Sequence, residues 1–100
     1  MKGKSNLKVD LTWENLKETN LEGADLCNVI LYGADLRWTN LAQANLSDAN
    51  LSEAELNGAI LNHADLSGAN ISKANLCGAQ LNNSNLAKAN LKNVDLSVPI

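Results

Sequence analysis

From Leu11 to Leu96 every fifth residue is leucine, with Ile71 the one replacement, so eighteen consecutive positions share one apolar chemistry. Neither regular element accommodates that period. On an α-helix a step of five residues advances by about 500° and spreads the leucines around the whole cylinder. On a flat strand an odd step sends successive leucines to opposite faces. Both leave half of them in water. The flanking positions repeat as well. Two residues before each leucine the side chain is usually small, alanine in eleven of eighteen cases with Glu14 the largest exception, and the residue immediately before the leucine is Asn or Asp in fourteen. Leucine and alanine favour helix, but Asn at nearly every repeat opposes it. The unit A-[N/D]-L-x-x therefore reads as a short extended stroke followed by a corner. Winding such units around one axis turns every leucine inward, and stacked coils share backbone hydrogen bonds about 4.8 Å apart. The expected architecture is a solenoid with a column of leucines as its core.

These residues resemble the pentapeptide-repeat family, and the resemblance runs from Val9 to Val98. It implies an all-β fold, a right-handed, four-sided (quadrilateral) parallel β-helix solenoid with four repeats per turn and about four and a half coils. Three segments follow: residues 1–8 as an amino-terminal tail, with Leu7 covering the first coil; residues 9–98 as the β-helix; and residues 99–100 as a stop at Pro99. In that register residues twenty apart stack. Inward columns such as Thr19–Thr39–Ala59–Ala79 become narrower toward the carboxy end, and Asn50, Asn70 and Asn90 line up as a candidate amide ladder. Glu14 falls in an inward slot, where burial without a partner would be costly, so it is expected at the open first coil, in water. The two residues after each leucine make the corner. A type II turn needs positive φ at its third residue, which favours Gly or Asn. Corners at Gly23, Asn28, Gly33, Gly58, Gly68, Gly78, Asn83 and Asn93 are accordingly expected to be type II. Those at Trp13, Glu18, Trp38, Gln43, Asp48, Glu53, His63, Lys73 and Lys88 are expected to use other turns.

Catalytic chemistry is not expected. His63 is the only histidine, placed at a surface corner without a nucleophile and orienting carboxylate. Cys27 and Cys77 lie two and a half coils apart, on opposite sides and too far for a disulfide. They fit a reducing compartment, and without CxxC or a histidine partner they imply no zinc. No cofactor is implied. The longest apolar stretches fall short of a membrane span, and the start has no apolar core of a secretory signal. A cytoplasmic, bacterial protein without membrane contact is the expectation.

Surface features suggest partners instead. Trp13, Tyr32 and Trp38 are the only aromatic residues and occupy outward slots near one another, which suits a partner-binding patch. The competing role is Trp13 folding over the open first coil. The last coil bares Leu81, Leu86, Leu91 and Leu96, an expected end-to-end interface and a route to a homodimer. Residues 9–72 carry ten acidic side chains against Lys17 and Arg37, which disfavours direct nucleic-acid binding. The functional expectation is a non-enzymatic structural or protein-interaction module, a rigid rod with an unknown protein partner. The resemblance also implies an alternative, because some members imitate DNA, bind bacterial DNA gyrase and protect it from quinolones. This chain departs from those members in lacking Phe, in its short length and in showing no dimer-forming module after Leu96.

Overall fold

The computed structural model describes residues 8–97, so the expectations placed on Leu7 and Pro99 lie outside the described residues. Parallel bridges pair each residue with the one twenty positions on and form four ladders: Asp10–Ile30–Asn50–Asn70–Asn90, Asn15–Asp35–Glu55–Asn75–Asp95, Asn20–Asn40–Ile60–Gln80 and Asp25–Asn45–Asp65–Asn85. Each coil is thus twenty residues long and carries four turns. Every unit gives one residue to a ladder, so the pairing consists of single bridges and not of continuous strands. The reason is arithmetic: two residues of each five turn the corner, and two point inward.

One unit shows how the backbone closes its hydrogen bonds, as a buried chain must. Asn50 N–H donates to Val29 O of the preceding coil (2.9 Å), and Leu51 N–H donates to Asn70 O of the next (2.7 Å). Ser52 N–H donates to the side chain of Asn50 (3.0 Å). Glu53 N–H reaches Ser72 O (3.0 Å), and Ala54 N–H closes the turn on Leu51 O (3.0 Å). All five donors are satisfied.

This pattern explains the Asn/Asp position. Its Oδ1 captures the N–H two residues on, the local bond that makes Asn and Asp turn residues, and all fourteen Asn and Asp residues before the core position do so. Where Gln80 departs from the pattern, Asn82 N–H is taken by Asn62 Oδ1 (2.9 Å), and Asn62 Nδ2 donates to Gln80 Oε1 (3.0 Å). The candidate amide ladder does not form among these side chains: the oxygens of Asn50, Asn70 and Asn90 each accept within their own turn, and no amide of the three bonds to another.

The corners correct a second expectation. All seventeen, from residue 13 to residue 93, have positive φ at the third turn residue, the twelve non-glycine residues included, Trp13 (63°), Glu18 (62°), Trp38 (61°) and Lys73 (62°) among them. A left-handed L-residue costs about 1–2 kcal/mol. From residue 13 to residue 73 the N–H of that residue bonds to the next coil, as in Trp13 N–H to Tyr32 O and Lys73 N–H to Lys92 O, both 2.9 Å; in the last coil the bend is held by its own closing bond, as in Ala89 N–H to Leu86 O at 3.0 Å.

The core follows from the same winding. Leu31 through Leu66 at every fifth position, then Ile71, are at most 1% exposed, and Ala34, Ala44, Ala49, Ala54, Ala59, Ala64, Ala69 and Ala74 pack beside them. Thr39, buried in an inward column, satisfies its hydroxyl on Leu36 O at 2.8 Å. Glu14 is exposed, as its place in the first coil requires. Burial fades toward the carboxy end, where Leu91 is 42% and Leu96 59% exposed.

Candidate partner-binding face

With the interior filled by leucine and alanine, the described residues form no cavity. The chemistry that the described residues offer lies on the outer surface. The face on the second ladder lies between two corner columns. One holds Trp13, Gly33 and Glu53, and the other holds Glu18, Trp38 and Gly58. Between them Arg37 grips Asp35 with two bonds, Nε to Oδ1 at 2.8 Å and Nη2 to Oδ2 at 2.7 Å. Its Nε also lies 3.7 Å from Glu55 Oε1 on the next coil. Such a forked pair fixes orientation as well as charge.

Hydrogen bonding from Arg37 holds the Asp35 carboxyl down at about 2. That lies below the unfolded value of about 3.9, so the contribution of the pair is complete above about pH 4 and fades as pH falls toward 2. Melting temperature measured against pH should therefore fall less steeply on the acid side in Asp35→Asn than in the parent chain.

The two indoles edge this plate. Trp13 is 68% and Trp38 61% exposed. Each leans toward the next coil, Trp13 over Gly33 and Trp38 over Gly58, where a Cβ on either glycine would fall inside the ring. Trp13 meets Tyr32 edge to face, with centroids 5.5 Å apart and planes at 88°, a favoured aromatic geometry. Trp13 therefore rests on the second coil and does not close the open end of the first. Trp38 stands on the adjacent corner, so the three aromatic residues flank one face and do not merge into one cluster.

The spacing of twenty between Trp13 and Gly33, and between Trp38 and Gly58, is legible in the sequence once the coil length is known. The Asp35–Arg37–Glu55 plate escapes sequence reasoning, although Asp35 and Glu55 are also twenty apart. His63 is an exposed corner residue. Cys27 and Cys77 are free thiols on opposite ladders, and Cys27 Sγ accepts from Ser47 Oγ at 3.4 Å. The four carboxy-terminal leucines lie on successive sides of the last coil, with Leu81 and Leu86 half-buried and Leu91 and Leu96 more open. Among the described residues no group of His, Cys, Asp and Glu is arranged to hold a metal. Among them, too, no helix is long and apolar enough to cross a membrane.

Comparison with known proteins is consistent with this geometry. A family model described as pentapeptide repeats matches residues 8–43, 30–68 and 59–97, with eight copies. Among solved structures the chain is similar to the pentapeptide repeat protein Rfr23 from the cyanobacterium Cyanothece 51142, at 45% identity and a TM-score of 0.87, covering 94% of this chain and 62% of that one. A pentapeptide repeat protein from the thylakoid lumen of Arabidopsis thaliana is 30% identical with a TM-score of 0.85, over 92% of this chain and 65% of that one. Another, from Nostoc Pcc 7120, is 32% identical with a TM-score of 0.78, over 89% and 85% of the two chains. The chain thus spans less than two thirds of the length of the first two. No curated protein matches it.

Proposed function

The chain belongs to the pentapeptide-repeat family, and from that premise we propose that it is a non-enzymatic interaction rod, a right-handed quadrilateral β-helix that offers the face between Trp13 and Trp38 to a protein partner. The observation that carries this reading is the pair of indoles left 68% and 61% exposed beside an ion-paired arginine. Tryptophan, tyrosine and arginine are the side chains that dominate protein-binding hot spots. The acidic surrounding speaks against direct nucleic-acid contact. The two free thiols fit a cytoplasmic setting. A second copy meeting the coil of Leu81, Leu86, Leu91 and Leu96 is a further contact of the same rod, tested by light scattering over a range of concentrations.

The test of the face is the double substitution Trp13→Ser and Trp38→Ser. Because both rings are mostly in water, the melting temperature should fall by no more than the roughly 4–8 °C that corresponds to about 1 kcal/mol. Proteins captured quantitatively by the parent chain should be lost by the double variant. Equal capture by both would exclude this face, and a far larger fall in melting temperature would make the indoles structural.

The second reading, imitation of DNA toward bacterial DNA gyrase, rests on the ten acidic side chains of residues 9–72. Part of that charge is already committed, since Asp35 is neutralised by Arg37. Gyrase supercoiling should accordingly be unaffected by a large molar excess of the chain. Inhibition would restore the mimic reading.

A further inference from the structure

Asn57 and Gly58 form the only Asn–Gly pair in the chain. They occupy the two corner positions after Leu56, on the same face as the Asp35–Arg37 pair. Glycine after asparagine leaves the backbone nitrogen unobstructed, since no Cβ stands beside it. Once deprotonated, that nitrogen can attack Asn57 Cγ. The new C–N bond closes a succinimide ring, and the Nδ2 group leaves as ammonia, taking up a proton from solvent. Water then adds to one of the two ring carbonyls and breaks its C–N bond. The product is either an ordinary aspartyl residue or an isoaspartyl link that runs through the side chain.

In the folded coil each part of that reaction is held back. Gly58 N–H is engaged with Cys77 O of the next coil at 3.0 Å. Asn57 O accepts Trp38 N–H of the preceding coil at 2.9 Å. The Trp38 indole lies over Gly58 so closely that a Cβ there would fall inside the ring. Asn57 Oδ1 is itself buried without a hydrogen-bond partner, so the oxygen side of the carboxamide that the nitrogen must attack is packed against the coil. Asn57 also lacks the usual local bond, because Glu55 replaces the Asn or Asp that precedes most core leucines and offers no Oδ1 to the turn.

We infer that Asn57–Gly58 is a latent modification site, kept closed by the stacked coils and the Trp38 indole and opened to irreversible deamidation when these coils separate. Conversion to the isoaspartyl link would lengthen the backbone between Asn57 and Gly58, where one peptide reaches both neighbouring coils. The product would then refold with the bonds from Trp38 N–H to Asn57 O and from Gly58 N–H to Cys77 O displaced. The site thus records whether the rod has been unfolded.

The test incubates the full chain at mildly alkaline pH, folded or in denaturing urea, and follows the Asn57 peptide by mass spectrometry. A third sample is the Trp38→Ser chain, shown by circular dichroism to retain its coils. Reaction in the folded chain proceeds only from the open fraction, so conversion should be slower there by about a hundredfold or more than in urea. Folded Trp38→Ser should convert several-fold faster than folded parent chain. Equal rates for folded and unfolded parent chain would overturn protection by the coils, and this comparison stands should Trp38→Ser not fold. Equal rates for folded Trp38→Ser and parent would overturn the role of the indole.

Discussion

Leu56→Ala should lower the free energy of unfolding by about 2–5 kcal/mol, the range for emptying a well-packed core site. Leu96→Ala should cost a small fraction of that. The two residues are chemically identical and occupy the same slot of the repeat, so the difference isolates position in the stack. Leu56 is 1% exposed, whereas Leu96 is 59% exposed. Around Leu56 the neighbours cannot collapse into the gap, because Leu36 and Leu76 are held by coils whose backbones are locked by bonds such as Leu36 N–H to Glu55 O (2.8 Å) and Leu56 N–H to Asn75 O (2.7 Å). Urea unfolding of both variants measures the contrast directly. Equal effects would mean that stability is not held in the column.

Ala54→Leu should be damaging for the opposite reason. Ala54 is 1% exposed, in an inward column between Ala34 and Ala74, themselves at 0% and 1%. Inserted carbon atoms in a packed core cost about 1–3 kcal/mol and occasionally more. Relief would require the coil to widen, and widening would stretch Glu55 N–H to Ala34 O at 2.9 Å and Asn75 N–H to Ala54 O at 3.0 Å. A midpoint unchanged from the parent chain in urea would show that the small residues are incidental. Val94, at the far end of the same column, is only half-buried, and Val94→Leu is the matched control with little expected loss.

The winding is clearly legible in the sequence, because only an inward column keeps eighteen leucine-type positions five apart from being half wet. The Asn/Asp position is visible as a pattern but not as a mechanism: its role depends on an N–H two residues on that becomes an orphan only once the corner forms. Single-residue preference for left-handed backbone misjudges the corners at Trp13, Glu18, Trp38 and six others, because it leaves out the neighbouring coil. At Glu53 the bond to Ser72 O, and at Lys73 the bond to Lys92 O, fix φ whatever the side chain. Register places the aromatic residues near one another, yet register alone does not aim a ring. Gly33 and Gly58 decide the tilt of the two indoles, and Asp35 decides the set of Arg37.

The left-handed corners carry a consequence for how such a chain diversifies. Backbone amides hold the bend, so most of the outer letters of each five-letter word carry little duty to the scaffold, the glycines beneath the two indoles being exceptions. Side chains as unlike as Trp13, Glu18, Asn28, Gln43, His63 and Lys73 already sit on one unvarying bend. A point change at a corner rewrites what the rod displays while the coil beneath is transcribed unaltered. Where nothing stacks on the corner, the exchange costs about the difference in left-handed penalties, of the order of 1 kcal/mol. Recognition and folding are thereby inscribed in separate letters of the same word, and a new partner can be met without composing a new fold.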